Sequence, residues 1–534
     1  MATTILTAAL LVCFFGTMIA VGFYCRKHAT DVNGFVLGGR NVGPWLTAFA
    51  FGTSYFSAVI FVGYAGQFGW NFGLASTWIG LGNAFIGSLL AWGVLGRRTR
   101  LMTNHIGSKT MPDFFSKRFG SDKLKIAASI IVFVFLIPYT ASLYNGLSSL
   151  FNIAFSVPYW VVIVVMAALT CVYVLFGGYM ATAVNDFIQG IIMLGGIIAV
   201  IIALLSSQGG LTAALEKLSQ IPSSYPETSQ TQGAFTSFFG AQPVYLVFVI
   251  LLTSLGTWGL PQMVGKFYSI KNEDAIKKGT VISTVFAIIV AGGCYFIGGF
   301  GRLFTDKLVP DGNTEAFRNF DAIVPTMLAT LPDIIVAVVI ILVLAASMST
   351  LSSLVLTSAS TLTLDVVLPA LSRKNRQVSQ KKQLVILRAF VIFFVAVSAA
   401  IAIIKDSYPE FTFIAQMMGI SWGALAGAFI APFLYGLYSR KITVASCWVS
   451  FIFGCGIEII QLFQMWNVIT FSNPFLAFVF TNSLYSGVFA MVGGLILVPL
   501  VSIFTPKCDK DMTDRIFACY DCEVVVPVTE ALGK

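Results

Sequence analysis

Charge is scarce in this 534-residue chain: only 10% of its residues are Asp, Glu, Lys or Arg, against roughly 25% in a soluble domain. A water-exposed globular body needs a polar exterior, and the shortage excludes one. Histidine is nearly missing as well. The two present, His28 and His105, lie in loops and form no metal-ligand pattern with each other. The apolar segments also lack paired carboxylates, a histidine cluster and a nucleophile motif, so the chain does not read as a membrane enzyme. Its nine cysteines are scattered, and Cys13, Cys171, Cys294, Cys447 and Cys455 sit inside apolar runs, where a thiol behaves as a small hydrophobe. No disulfide framework follows. The first apolar run, Thr4 to Tyr24, has neither a basic leader nor a small-residue cleavage site, and reads as a retained helix rather than a signal peptide.

What fills the chain instead is apolar: 57% of residues are hydrophobic and the mean hydropathy is +0.87. A membrane-spanning helix needs about 20 apolar residues. Runs of that kind fall near 4–24, 44–65, 72–96, 125–152, 158–177, 184–206, 243–265, 279–301, 334–368, 385–405, 410–438, 443–465 and 478–503. The expectation is an all-α polytopic membrane protein with about thirteen transmembrane helices. With the N-terminus outside and the C-terminus in the cytosol, 27 of the 32 basic residues, Lys266 among them, fall on inner segments; only Lys217, Arg302, Lys307, Arg318 and Lys405 remain outside. Such asymmetry follows the positive-inside rule. The net charge of +9 is therefore a topology signal. It is no nucleic-acid footprint, since no basic stripe is interleaved with exposed aromatics. The segments 207–242 and 302–333 read as polar outer loops, 369–384 as a cytosolic loop, and 505–534 as a short cytosolic tail with no catalytic or kinase-like domain, which speaks against a membrane sensor. Within that tail, Cys508, Cys519 and Cys522 lack a fourth metal ligand.

Non-helical backbone is tolerated at membrane depth where it lines a cavity, and there its freed carbonyls and amides bind ions and substrate. Two spans carry the composition for a break. One reads Phe51-Gly52-Thr53-Ser54-Tyr55-Phe56-Ser57-Ala58, the other Thr253-Ser254-Leu255-Gly256-Thr257-Trp258-Gly259-Leu260-Pro261-Gln262. They stand five spans apart, the separation of two inverted repeats. Small residues that merely let helices approach are the competing explanation. A further span contains Ala345-Ala346-Ser347-Met348-Ser349-Thr350-Leu351-Ser352-Ser353. There Ser349 shares a helix face with Ser352 and Ser353, and uncharged hydroxyls suit a small monovalent ion such as sodium. Asp186, Asp365 and Glu458 are the carboxylates placed at or near membrane depth; Glu458, outside both repeats, reads as a packing or lipid-contact residue.

The chain resembles the sodium/solute symporter family, whose members carry proline, pantothenate, sialic acid, sugars, iodide and monocarboxylates. The likeness rests on Phe35-Val36-Leu37-Gly38-Gly39-Arg40, on Thr110-Met111-Pro112-Asp113-Phe114-Phe115, and most specifically on Phe176-Gly177-Gly178-Tyr179-Met180-Ala181 followed by Asn185-Asp186-Phe187-Ile188-Gln189. It implies a LeuT-type core of two inverted five-helix repeats behind one extra helix. The divisions are then 1–43 for the extra helix and its loop, 44–206 and 243–438 for the repeats, 207–242 for the outer loop between them, 439–504 for two C-terminal helices, and 505–534 for the tail.

By the resemblance, the main sodium site falls on Thr53, Phe56, Ala346, Ser349 and Thr350. A second sodium, present in some members, would use Asp186, Ser349, Ser352 and Ser353, so one or two ions are transported. The expected activity is symport of a small organic solute by alternating access, in a multi-pass protein of a bacterial or archaeal plasma membrane. Its partners are then the solute and lipid, not nucleic acid, with the monomer as the working unit. A proton-coupled carrier on the same scaffold, with Asp186 as the titrating group, and a transport-derived solute sensor are the alternatives. No one subfamily matches: Tyr55 stands where proline carriers have an aspartate and Ile60 where sugar carriers have a glutamine. The run Pro138-Tyr139-Thr140-Ala141-Ser142 offers no counterpart to the arginine of sialic acid carriers. The solute pocket is expected at Ser54, Tyr55, Tyr139, Thr253, Thr257, Trp258 and Gln416, neutral and aromatic.

Overall fold

A bilayer offers no water to the backbone, so a spanning chain closes its hydrogen bonds within helices. The computed structural model of the chain describes residues 2–155, 157–223, 225–229, 231–309, 317, 319–373, 378–407 and 414–521. Among these, helix dominates, and the pairing of extended backbone is limited to an isolated bridge between Val42 and Ile270. Ten of the described helices are long and apolar enough to cross a membrane, or eleven when one bent pair is taken as a span. Cys522, Arg318 and the end of the tail lie outside the described residues.

In chain order the long elements are α1 (Ala2–Cys25), α2 (Pro44–Tyr55), α3 (Val59–His105), α4 (Asp122–Phe155), α5 (Tyr159–Ser207), α6 (Pro243–Gly259), α7 (Pro261–Ser269), α8 (Glu273–Gly298), α9 (Asp333–Thr361), α10 (Gln380–Ser407), α11 (Ile414–Tyr438), α12 (Val444–Met465), α13 (Ser483–Phe504) and α14 (Lys510–Phe517). At about 1.5 Å per residue, the 49 residues of α5 would reach more than twice the thickness of a hydrocarbon core. α5 is in fact two helical stretches that meet at Gly178, whose φ of 54° and ψ of −147° interrupt the helix. Glycine is required there twice over, because a Cβ would also lie 2.8 Å from the Phe35 carbonyl oxygen. The apolar runs 158–177 and 184–206 are these two stretches, joined through that kink without an intervening loop.

The pillar of the molecule is α9, buried almost continuously from Val339 to Leu356 and packed against α2, α4, α5 and α10. α11, α12 and α13 form a flanking bundle. Its helices close on glycine: Gly427 and Gly454 face one another, as do Gly423 and Gly487. Glu458 lies wholly buried in this contact, accepts a hydrogen bond from Ser486 at 2.9 Å, and borders Gly423. It is therefore a packing residue and not a lipid contact.

The two ends of the bundle differ. At one, the chain after α5 folds back over α3, and Arg302 plugs the contact. Its guanidinium donates to the Trp70 carbonyl at 2.7 Å and lies 4.6 Å and 4.0 Å from the ring centroids of Trp70 and Phe235. Burial lowers the pKa of Arg302, and the neighbouring Tyr225 oxygen raises it in part. At the other, basic end, α14 folds back onto the bundle. It is held by Arg440 with Asp514 at 2.9 Å, by a His105 ring nitrogen with the Arg515 carbonyl at 2.9 Å, and by the Arg118 guanidinium over Phe517.

Candidate functional site

Both expected breaks are present. α2 ends at Tyr55, and Phe56 leaves the helix with φ −99° and ψ 94°. The Ser57 carbonyl then opens the next turn by accepting from the amides of Ile60 and Phe61. The second break is the one bent pair: Leu260 is extended (φ −85°, ψ 119°), and the axes of α6 and α7 differ by 47°. Pro261 produces it, since proline has no N–H to continue the ladder and suits the first position of a new helix.

The break after Tyr55 releases the Thr53 carbonyl to side-chain donors on α9. Ser349 and Thr350 each donate to it at 3.1 Å, and the same two hydroxyls lie 3.1 Å and 3.2 Å from the Ala346 carbonyl. Two carbonyl and two hydroxyl oxygens thus converge from helices almost three hundred residues apart. Such oxygens, without formal charge, are what a sodium ion takes from a broken helix and its neighbour. Phe56 stands at the break itself, its ring stacked on Tyr55 at 4.3 Å.

Around Asp186 the arrangement differs from the expected one. Asp186 is fully buried on α5. Its charged neighbour is Lys266 on α7, with Nζ 3.8 Å from Oδ2. That ammonium donates to Ser353 Oγ at 2.9 Å, and Ser353 Oγ lies 2.7 Å from Ser54 Oγ. Ser352 instead bonds back to the Ser349 carbonyl at 2.9 Å. Lys266 was grouped with the inner-segment charges by its place at the edge of an apolar run, but it is only 4% exposed. Its charge is buried beside Asp186 rather than held in water. A cavity bordered by exposed Lys109, by Thr110 and by Gln262 reaches Lys266 and Ser353 from the basic end of the bundle.

The residues expected to line a solute pocket divide into groups. Ser54 turns toward Ser353 and belongs with the ion-side hydroxyls. Tyr55 donates to the Thr253 carbonyl across the two broken spans. Thr253 and Thr257 bond back to Val249 and Ser254 at 2.8 Å and 2.9 Å, and the Trp258 indole donates to the Ile86 carbonyl at 3.1 Å. Gln416 is set apart, half-buried, its carbonyl accepting from Ser483 at 3.3 Å. Tyr139 is buried with its ring 6.0 Å from that of Trp422, which is also 6.0 Å from Tyr55.

Sequence reasoning missed Trp422 and Ser57. The Tyr139 hydroxyl faces both, yet among the described residues Ser57 Oγ, Tyr139 Oη and Trp422 Nε1 are buried with no hydrogen bond closed. Buried polar atoms left open beside a helix break are where a polar solute would be received. Trp422 did carry a signal: tryptophan gathers at membrane interfaces, and one at mid-span needs another reason.

A model of the sodium:solute symporter family matches residues 35–454. The osmoregulated proline transporter OpuE of Bacillus subtilis is 28% identical, over 84% of this chain and 87% of its own. Sodium/proline symporter 2 of Staphylococcus saprophyticus is 26% identical over 94% and 93%. Among solved structures, a Na+-coupled sialic acid symporter in a substrate-bound outward-open state superposes with a TM-score of 0.70 at 16% identity, over 94% of this chain and 99% of that one. At that identity the likeness shows a shared fold, the LeuT fold.

Proposed function

The chain belongs to the sodium:solute symporter family, and from that premise we propose that it imports a small organic solute, an amino acid, carboxylate or related compound, by sodium-coupled alternating access. It is a membrane transporter and not an enzyme. The observation that carries the sodium reading is the meeting of Ser349 and Thr350 with the freed Thr53 carbonyl. Sodium held there ties α2 to α9 and orders the backbone at Phe56, beside which Tyr55, Ser57, Tyr139 and Trp422 receive the solute. Neutral aromatic walls and open amides of a broken helix suit a solute whose carboxylate is taken by the backbone. The similarity to proline carriers makes proline the first solute to try, even though Tyr55 offers no charge.

In this reading the chain crosses the membrane thirteen times with the N-terminus outside. α2 with the start of α3 (44–65) is one pass and the rest of α3 (72–96) the next, α5 counts as two, and 44–206 and 243–438 are the inverted repeats. The cavity on the basic side and the Arg302 plug on the other then describe an inward-facing state, from which sodium leaves to the cytosol. Coupling is the difference in affinity of each ligand between states, so neither ligand alone drives the full transition.

Proteoliposomes with an imposed inward sodium gradient test the proposal. Labelled proline, other amino acids and monocarboxylates are offered in turn, and one of them is expected to accumulate only with the gradient. Uptake that is unchanged in choline, or that follows a proton gradient instead, would overturn it. Trp422→Phe keeps an aromatic side chain, though a smaller one, and removes the indole donor. Loss of a hydrogen bond of about 1–2 kcal/mol should raise the solute half-saturation, read from uptake at saturating sodium, by roughly 5–30-fold and leave the sodium titration in the absence of solute unchanged.

A further inference from the structure

Lys266 is the buried charge that the sodium reading above does not use. Both oxygens of Asp186 are buried without a hydrogen bond among the described residues, so its negative charge is answered by the ammonium 3.8 Å away. A carboxylate in so dry a place requires one compensating cation. Asp186, Ser352 and Ser353 together supply one negative charge and no more. The ammonium already contacts the serine hydroxyl that a second sodium would take, Ser353 Oγ at 2.9 Å. It is delivered by its own helix: the break at Leu260 and Pro261 swings α7 by 47° and carries Lys266 inward. A covalently attached cation competes at a high effective concentration with any free one. Sodium added beside it would leave a net positive charge in a low dielectric, where like charges repel strongly. The main sodium oxygens one turn away carry no formal charge and are not so blocked.

We infer that Lys266 is a tethered cation that takes the place of a second sodium ion, so that this carrier couples one sodium to each solute. The inference rests on the sodium-coupled reading above and deepens it.

Equilibrium binding of radiosodium to the purified full-length protein, with choline as the balancing cation, decides it. The wild type should bind one sodium per chain. Lys266→Met, which frees Asp186 and the serines, should bind two, and its melting temperature, lowered in choline, should be recovered by sodium through mass action. Lys266→Arg, and the double variant Lys266→Met with Asp186→Asn, should each bind one. Two sodium ions on the wild type would overturn the inference even if no variant folds. So would a folded Lys266→Met that still binds one and gains no extra stability from sodium. A wild type that binds no sodium is a separate outcome: it overturns sodium coupling itself, and this inference with it.

Discussion

Replacing Ser349 and Thr350 together by alanine is expected to abolish sodium-driven uptake and to raise the sodium concentration for half-maximal binding by roughly 100- to 10,000-fold. The argument starts from the two hydroxyls that share the Thr53 carbonyl at 3.1 Å. A hydrogen-bonding group that serves a charge contributes about 1.5–3 kcal/mol, and every 1.4 kcal/mol is about tenfold in affinity. Each single substitution should therefore cost about 10- to 100-fold. The pair should cost up to the product, or less if the remaining ligand relaxes around the ion, since neighbouring groups are not additive. Thr350→Ser retains the oxygen and should stay within a few-fold of the wild type. Ser347→Ala is the control: its hydroxyl bonds back to Val343 at 2.7 Å within α9 and faces no other helix through that bond. Sodium titration of intrinsic fluorescence reads all five variants. A double variant with an unaltered titration would remove this site from the mechanism.

The second large effect concerns the frame that holds the break. Gly69→Val should reduce the yield of folded protein severely, or lower its melting temperature by many degrees. Gly69 of α3 faces Gly298 of α8, and a Cβ on either would land on backbone of the other helix, on Gly298 itself or on the Ala65 carbonyl. Overpacking ordinarily costs about 1–3 kcal/mol because side chains can shift; here the obstacle is main chain on both sides, and the helices themselves must part. α8 also packs against α2, so separation of α3 from α8 loosens the wall behind the sodium oxygens. Gly93→Ala is the matched control, since nothing lies within 4 Å of a Cβ there, and its melting curve should overlay that of the wild type. Size-exclusion profiles and melting curves in sodium distinguish the two. A stable, monodisperse Gly69→Val would refute the close contact.

Legibility in the sequence followed the range of the interaction. The breaks were readable because their causes are local: Pro261 lacks an N–H, and the Gly52-to-Ser57 stretch is poor in strong helix formers. The hydroxyls of Ser349 and Thr350 were visible as a polar run on an apolar helix, but only the family likeness pointed them at Thr53. The burial of Lys266 was not legible, because a lysine at the rim of an apolar run ordinarily lies in water and nothing near it in sequence reports the 47° turn that brings it inward. Trp422 was not among the expected pocket residues, although Gln416 on the same helix was, because what brings its indole beside Tyr139 and Tyr55 is the packing of α11 against α2 and α4 and not a local pattern.

By itself, then, the sequence determined that this is a helical membrane chain, where its apolar runs lie, where two of them break, and which end of the bundle gathers basic residues, since hydrophobicity, proline chemistry and charge act over a few residues. Only the tertiary structure decided what each freed group faces: Thr53 the hydroxyls of α9, Ser54 the Ser353 hydroxyl, Tyr139 the Trp422 indole, and Asp186 an ammonium. Those partners are separated by tens to hundreds of residues along the chain. The direction in which a side chain leaves a broken helix depends on how the neighbouring helices pack against it, and no local pattern encodes that.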